Sequence, residues 1–425
     1  ERGKAAARNA AIVSANYAYW FEVNDKAQGL KRTEAEEEVF GENPVELLIL
    51  DEGHAAPELL AGYLGVKVYE GEIKRWEGSR SLGEDVEGWK VWLRKTGAPE
   101  ELDVEIAKLE ITLGRLGRKA TKLQVETLHK MERLSEKLER ISGMQGSEWV
   151  CEKEEGTRFG RQWGFDVVWP GRYAEQYLFC GVPKIVVMSA TLRPKTLGLL
   201  GVKRENFGFM EWPRVFPANR HPIYSFPATR AGKAIRIDRK TSSTDLLAWV
   251  EHIDKIIDSN LDRKGIVQTV SYARQKFLFE HSRHSHLFLG NTDEPESETA
   301  ARTAEIFRQS DAPKILISPS FSTGWDFPMQ QAEFIIICKI PFRSSDSKVQ
   351  KAREGRDADY SAYSAMIDLV QGCGRGMRSA EDSCSVYIVD GHLGWFLAKH
   401  SQLAPNWFTT SVRRVNQIPK PRAKL

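Results

Sequence analysis

Cysteine is scarce. Five occur in 425 residues (Cys151, Cys180, Cys338, Cys373 and Cys384), an odd number with no C-x-x-C pair. That excludes a disulfide-scaffolded domain, offers no metal-binding framework and suits a reducing compartment, so an intracellular, cytoplasmic protein is expected. No apolar run approaches the ~20 residues of a membrane span, and no signal peptide is visible. An excess of one charge is also missing: 61 basic residues against 58 acidic give +3. Any basic surface for a nucleic-acid partner must therefore be local. What is present is a globular composition, 41% hydrophobic and 28% charged, in a chain long enough for two or three domains. Tryptophan is abundant, with 12 residues; most read as core, and some offer stacking faces.

The stretch around which the chain is organised is Leu47-Leu48-Ile49-Leu50-Asp51-Glu52-Gly53-His54. Its apolar half reads as a fully buried strand of a parallel sheet. Ligands bind beyond the carboxyl ends of such strands, which puts Asp51 and Glu52 at a ligand site. An aspartate there can hold Mg²⁺ directly or through water, and the adjacent glutamate can polarise an attacking water. An acidic turn closing a core strand is the plain structural reading of the same residues.

Upstream, Ile12-Val13-Ser14-Ala15-Asn16-Tyr17 reads as a short buried strand ending in a polar turn, and residues 18–44 as an acidic helix closed by Gly41 and Pro44. From Pro57 to about Trp169 there is little parallel-strand signal. Leu102, Ile106, Leu109, Leu113, Leu116, Ala120 and Leu123 form a stripe of alternating four-three spacing, resumed through Met131, Leu134, Leu138 and Ile141. Gly114 and Gly117 interrupt it, predicting either one long helix or a hinged helical pair. Sheet signal returns at Lys184-Ile185-Val186-Val187-Met188-Ser189-Ala190-Thr191. A crossover between parallel neighbours needs only a dozen residues or so; the excess reads as an inserted helical domain.

A proline-rich connector near 211–230 marks a boundary. Beyond it α/β alternation is clear: a helix over Leu246–Ile257, strands at 265–270, 315–317, 334–338 and 386–390, and helices at 303–308 and 360–370. The tail from Arg413 onward, with Arg414, Lys420, Arg422 and Lys424, reads as a disordered basic end.

Three further stretches carry chemistry: Ser189-Ala190-Thr191; Ser322-Thr323-Gly324-Trp325-Asp326-Phe327-Pro328; and Gln371-Gly372-Cys373-Gly374-Arg375-Gly376-Met377-Arg378. In the last, two arginines beside a glycine-rich turn offer donor forks matched to phosphate oxygens. A basic helix-end turn without a ligand is the alternative. Taken singly, a hydroxyl pair after a strand is common as a helix cap.

In this order, across two α/β domains, the stretches resemble the motor of superfamily 2 helicases, and in detail the XPD/DinG branch. Asp51-Glu52-Gly53-His54 resembles its DEAH box, with glycine in place of the usual alanine. The segment ending Asn16-Tyr17 resembles the "VNY" element, Ser189-Ala190-Thr191 the coupling motif, Gly265 to Tyr272 the first strand of the second motor domain, Ile340-Pro341-Phe342 the "LPF" turn, and Gln371 to Arg378 the "QxxGRxxR" motif. The resemblance implies an α/β fold of two RecA-like motor domains with parallel sheets. The first (1–59 and 166–212) would carry a helical arch-like insertion (60–165), and the second would span 213–425. It implies ATP bound in the cleft between them, with Mg²⁺ held by Asp51, water activated by Glu52, and Arg375 and Arg378 as arginine fingers. His54, Ser189, Thr191, Gly324, Asp326 and Gln371 would couple nucleotide state to grip on single-stranded DNA, moved 5′ to 3′. RNA in place of DNA is an open option.

The sequence departs from that family in two ways. It holds no G-x-x-x-x-G-K-[ST] phosphate loop and no four-cysteine set for an iron–sulfur cluster. In the family both lie upstream of the segment matching Ile12 to Tyr17. With Glu1 as first residue, the expectation is a chain without its N-terminal region, inactive alone, with any cluster belonging to that region. The alternatives are a natural split motor, or a non-catalytic nucleic-acid- or partner-binding subunit with a relic cleft. Asp51, Glu52, Arg375 and Arg378 argue against the relic, which has no need of buried charge.

Overall fold

The structure, a computed structural model, describes residues 10–26, 45–79, 83–157, 160–214, 216–290, 297–319 and 327–419. The acidic stretch Glu34–Glu38, Gly324, Asp326 and the basic positions Lys420, Arg422 and Lys424 lie outside the described residues. The chain divides into two compact units. One comprises residues 1–189, 194–208 and 344–358; the other comprises 190–193, 209–343 and 359–425.

In the first unit the strands are β1 (Leu47–Leu50), β2 (Val66–Tyr69), β3 (Trp149–Thr157), β4 (Gly160–Val167) and β5 (Lys184–Val187). β1 pairs with β5 in parallel, Leu47 opposite Lys184 through Leu50 opposite Val187. Contrary to the expectation of full burial, only one face of this pair is packed by described residues. Leu50 is buried, with Leu48 and Val187 against the same core. Leu47, Ile49, Val186 and Met188 point the other way and are exposed. The strand expected over Ile12 and Val13 is likewise absent. Both residues are exposed and no described strand pairs with them, so their backbone has no ladder to join.

The region between β1 and β5 is helical only in part. Helices Ala98–Leu116 and Lys122–Gly143 form a hairpin, broken at Gly117 in the left-handed region (φ 50°) and restarted by a Thr121–Gln124 capping box. The pair is thus hinged at Gly117, while Gly114 sits inside the first helix. Leu102, Leu134, Leu138 and Ile141 are buried, but Leu123, predicted in the stripe, is 69% exposed. The sequence reading missed an antiparallel sheet of order β2-β4-β3. Its β4 strand buries Trp163, Phe165 and Val167 at alternate positions, and Trp89 packs edge-on against Trp163 and Phe165.

A helix from late in the sequence, Lys348–Arg356, completes this unit. Arg353 is nearly fully buried. It donates to the carbonyls of Val167 (3.2 Å) and Val168 (2.8 Å) and pairs with Glu58 at 2.9 Å. Lys348 donates to the Cys151 carbonyl at 3.0 Å. These carbonyls of the antiparallel sheet gain charged donors, which fasten the helix to it.

The second unit holds β6 (Ile223–Ser225), a small hairpin of β7 (Thr229–Arg230) and β8 (Lys233–Ala234), then β9 (Lys264–Gln268), β10 (Phe288–Leu289), β11 (Lys314–Ser318), β12 (Phe334–Ile337), β13 (Ser385–Ile388) and β14 (Val412–Arg414). Seven of these form one parallel sheet of order β10-β11-β9-β12-β13-β6-β14. Alternation along the strands divides the core in two. Ile266, Leu316, Ile335, Ile337, Val386 and Ile388 pack with helices Ser297–Gln309 and Tyr360–Cys373. Val267, Ile315, Ile317, Phe334, Ile336 and Tyr387 pack with Ser243–Asp258 and Tyr272–His281. Helices on both faces explain why these strands read as continuous apolar runs. Of the tail expected to be disordered, Arg413 and Arg414 lie in a strand instead: β14 pairs in parallel with β6, Val412 opposite Ile223 through Arg414 opposite Ser225.

Candidate active site

The first unit brings Asp51, Glu52, His54 and Ser189 together. β1 delivers the two carboxylates directly past its last residue, and β5 delivers Ser189. The strands continue their coupling beyond the ladder: Met188 N donates to Leu50 O (3.0 Å) and Gly53 N to Met188 O (2.9 Å). Glu52 adopts a left-handed backbone (φ 48°, ψ 37°), a sharp turn whose amide donates to Asp51 Oδ1 at 2.9 Å. Non-glycine residues are rarely held there, and such strain gathers at functional sites. The turn is further tied by the Tyr17 hydroxyl, which donates to the Asp51 carbonyl at 2.8 Å. Burial, then the charges of Asp51 and Glu52, push that phenol up to about 12, so it remains a donor at neutral pH.

Glu52 Oε2 is a shared acceptor. The Ser189 hydroxyl donates to it at 3.1 Å, and His54 Nδ1 lies 3.2 Å away. Nδ1 is also 2.7 Å from Ser189 Oγ. The hydroxyl has one proton, so with that proton on Glu52 the His54 ring donates from Nδ1. The result is a three-residue network that orients a carboxylate which is itself 58% exposed. Gly53 is buried under β5, and a Cβ built there would meet Val187 Cγ1 at 2.2 Å. The glycine therefore fits a tight approach between the turn and β5.

The donor set suits a hard dication. Asp51 is exposed; its Oδ1 takes the Glu52 amide and Oδ2 has no partner among the described residues. No described group of three or more His, Cys, Asp or Glu residues could cage a metal. One carboxylate with water and substrate phosphate is the usual protein contribution for Mg²⁺. The cysteines do not fit an iron–sulfur cluster: all five are buried and free, and none joins such a group.

The second unit brings Thr191, Gln371 and Arg375 together. Gln371 Nε2 donates to Thr191 Oγ1 at 2.9 Å, and Arg375 Nη2 lies 3.4 Å from Gln371 Oε1. Thr191 and Arg375 are buried. Helix Tyr360–Cys373 delivers this segment, and Gly374–Gly376 continues it as one tight turn. Close packing requires the small residues. A Cβ on Gly372 would meet Gln268 Oε1 at 2.4 Å, and one on Gly376 would meet Cys384 Sγ at 2.4 Å. His221 Nε2 donates to the Cys373 carbonyl at 2.8 Å; burial, further helped by Arg214, lowers its pKa to about 4 against the effect of that bond.

Arg378 is exposed, and its backbone is fixed by a residue the sequence reading missed. Asp382 Oδ2 accepts from the amides of Arg378 (2.6 Å) and Ser379 (2.8 Å), and Oδ1 from Met329 N (2.9 Å). Burial raises this carboxyl, but the amides outweigh it and hold it below the usual carboxylate range. Its spacing of four residues from Arg378 was the available signal. Tyr17 was marked only by its likeness to the "VNY" element, and His221 and Gln268 had no comparable signal, since each acts on a backbone carbonyl or glycine distant in sequence. Cys373 and Cys384 are core residues, as their burial requires.

Residues 257–411 match the helicase C-terminal domain family. No curated protein matches the chain. Among solved structures it is similar to one titled an XPD helicase, at 15% identity and a TM-score of 0.54, covering 94% of this chain and 72% of that one. It is also similar to an apo XPD structure at 14% identity and 0.56, covering 94% and 81%. A third is Xpd4 of S. tokodaii, at 12% identity and 0.50, covering 90% and 80%. Residues 257–411 thus match a helicase C-terminal domain, and the chain shares the α/β, RecA-like fold of the solved XPD structures.

Proposed function

We propose that the protein is an ATP-driven motor that moves 5′ to 3′ along single-stranded DNA. The observation carrying this reading is the network at the end of β1, where Ser189 and His54 orient Glu52 next to Asp51. Asp51 would hold Mg²⁺, which would supply positive charge against the phosphate oxygens. Glu52 takes the proton of the attacking water; its orientation by two neighbours is what general-base geometry needs. Arg375 and Arg378 stabilise charge on the transferred phosphoryl group. Thr191 and Gln371, hydrogen-bonded to each other, respond to nucleotide state together with His54 and Ser189. Gly324 and Asp326 keep their proposed coupling role from the sequence resemblance.

The test is ATP turnover with and without oligothymidylate in protein expressed from its own gene locus, comparing wild type with Glu52→Gln and Arg375→Ala. Loss of turnover by about 10³-fold or more in each variant, with strand binding kept, is the expected result. Near-normal turnover in either variant would remove that residue from the mechanism.

A second reading is favoured by one observation, the absence of a G-x-x-x-x-G-K-[ST] loop in these 425 residues. It makes the protein a non-catalytic strand-binding subunit. Strand binding by wild-type protein with no ATP turnover in that native form is its signature.

A further inference from the structure

The second unit has a pocket of about 450 Å³ whose lining includes no residue of the Gln371–Arg378 segment: it is lined by Trp212, Arg214, Trp407 and Arg413, with Glu211 and Asn406 at its wall. Two short segments build it. Trp212-Pro213-Arg214 lies ahead of β6, and helix Asn406–Ser411 leads into β14. β6 and β14 are paired neighbours, which sets the two segments side by side.

The side chains make an unusual combination. Trp212 is 70% exposed, a large aromatic surface left open to solvent. Arg214 is half-buried and donates to Ser411 Oγ (2.8 Å) and the His221 carbonyl (3.0 Å), with its guanidinium 5.7 Å from the Trp407 ring centroid. Both hydrogen-bond partners are neutral. Burial lowers the Arg214 pKa, as it does where no carboxylate compensates. The one acid in the wall is already engaged: Glu211 pairs with Arg193 at 2.8 Å and accepts the Asn406 amide at 2.7 Å. Arg413 is exposed, and neither Arg214 nor Arg413 has a carboxylate partner among the described residues. A half-desolvated guanidinium with unused donors is costly without an anion. Two indoles beside the half-buried Arg214 and the exposed Arg413 offer π-faces and an anion site in one concavity of ligand size.

We propose that this pocket binds a nucleobase together with its phosphate, the base stacking on Trp212 and the phosphate meeting Arg214 and Arg413. The nucleotide is either one residue of a single strand or a free mononucleotide, which share this chemistry. The proposal stands on the pocket's own residues and does not require ATP turnover at Glu52.

The test uses the full chain. Binding of fluorescein-labelled oligothymidylate, of the same backbone carrying abasic sites, and of AMP is measured for wild type, Trp212→Ala, Trp212→Phe and Arg413→Gln. Stacking of one base accounts for about 1–3 kcal/mol, so Trp212→Ala should weaken the base-bearing ligand about 5- to 150-fold and leave the abasic strand unchanged. Trp212→Phe should recover most of the loss. Arg413→Gln should lower the salt slope for the strand by about 0.7. An effect on oligothymidylate identifies a strand nucleotide, and an effect on AMP alone identifies a free one. Unchanged affinity for both ligands in Trp212→Ala, or equal losses for thymidylate and abasic strands, would overturn the proposal.

Discussion

Gly53→Ala is a small change with a large expected local effect. The alanine Cβ would stand 2.2 Å from Val187 Cγ1, while carbon atoms in contact sit about 3.5–4.0 Å apart. The turn cannot easily yield. Gly53 N is bonded to Met188 O, and the preceding Glu52 is already held at positive φ. Val187 is β-branched on a paired strand, so it must leave its rotamer or β5 must shift. Overpacking of this kind costs about 1–3 kcal/mol. The loss of glycine's freedom in the unfolded chain offsets about 0.4–1 kcal/mol. The net is about 1–2 kcal/mol, concentrated where β5 delivers Ser189. A chain of two units does not unfold as one transition, so global melting is the wrong assay. Native-state hydrogen exchange, read on peptides covering residues 47–56 and 184–190, reports the local opening. Gly53→Ala should accelerate exchange in both peptides by about 5- to 30-fold, as 1.4 kcal/mol is tenfold. Made in a Val187→Ala background, the same change should cost nothing, because the colliding methyl is gone. Unchanged exchange in the single variant, or an undiminished cost in the double, would refute the packing argument.

Two other perturbations have signed outcomes. His221 has its pKa depressed to about 4 in the folded chain against 6.5. Its contribution to stability is therefore complete above pH 6.5 and lost as pH falls through 4, up to about 3 kcal/mol. Protection factors at Cys373–Arg378, referred to the intrinsic exchange rate at each pH, should fall over that window in wild type, and His221→Gln should flatten the fall. Arg353→Ala leaves two strand-end carbonyls and Glu58 without their donor. Leaving the two carbonyls without that donor costs about 1–3 kcal/mol, while the pair with Glu58, 38% exposed, adds little, so exchange across residues 160–169 and 348–356 should accelerate. Protection equal to wild type there would show that the helix is held by its apolar contacts instead.

The legible parts of this chain are those whose signal is local. Leu47–Leu50 ends in two carboxylates, and the second sheet reads in apolar runs because helices cover both its faces. The stripe from Leu102 to Leu116 revealed a helix but left open whether it was hinged, because Gly114 and Gly117 look alike in sequence. Only Gly117 takes a positive φ. β3 was hidden by the charged run Glu152-Lys153-Glu154-Glu155, of which the last three are exposed and show no apolar alternation. The alternation Trp163, Phe165, Val167 in its partner was a usable period-two signal that the helical pattern around it obscured.

What was illegible has a common cause: partners chosen by position in space. β1 reads as a two-sided core strand, yet only its Leu48–Leu50 face has a described neighbour. Hydrophobicity states what a residue would bury; it does not state what is there to bury it. Helix Lys348–Arg356 shows the same point from the polar side. Its sequence lies amid the second sheet's elements, but Arg353 finds carbonyls of residues some 185 positions earlier and so belongs to the first unit. No periodicity encodes that choice, because a guanidinium selects whichever strand-end carbonyls the fold presents to it. The same reasoning applies to the candidate site. The types and order of Asp51, Glu52, His54 and Ser189 were readable from sequence. That Ser189 and His54 converge on one oxygen of Glu52 follows only from the register in which Leu50 faces Val187. A register slip of one residue would turn Ser189 to the opposite face of the sheet and dissolve the network while leaving every motif in place.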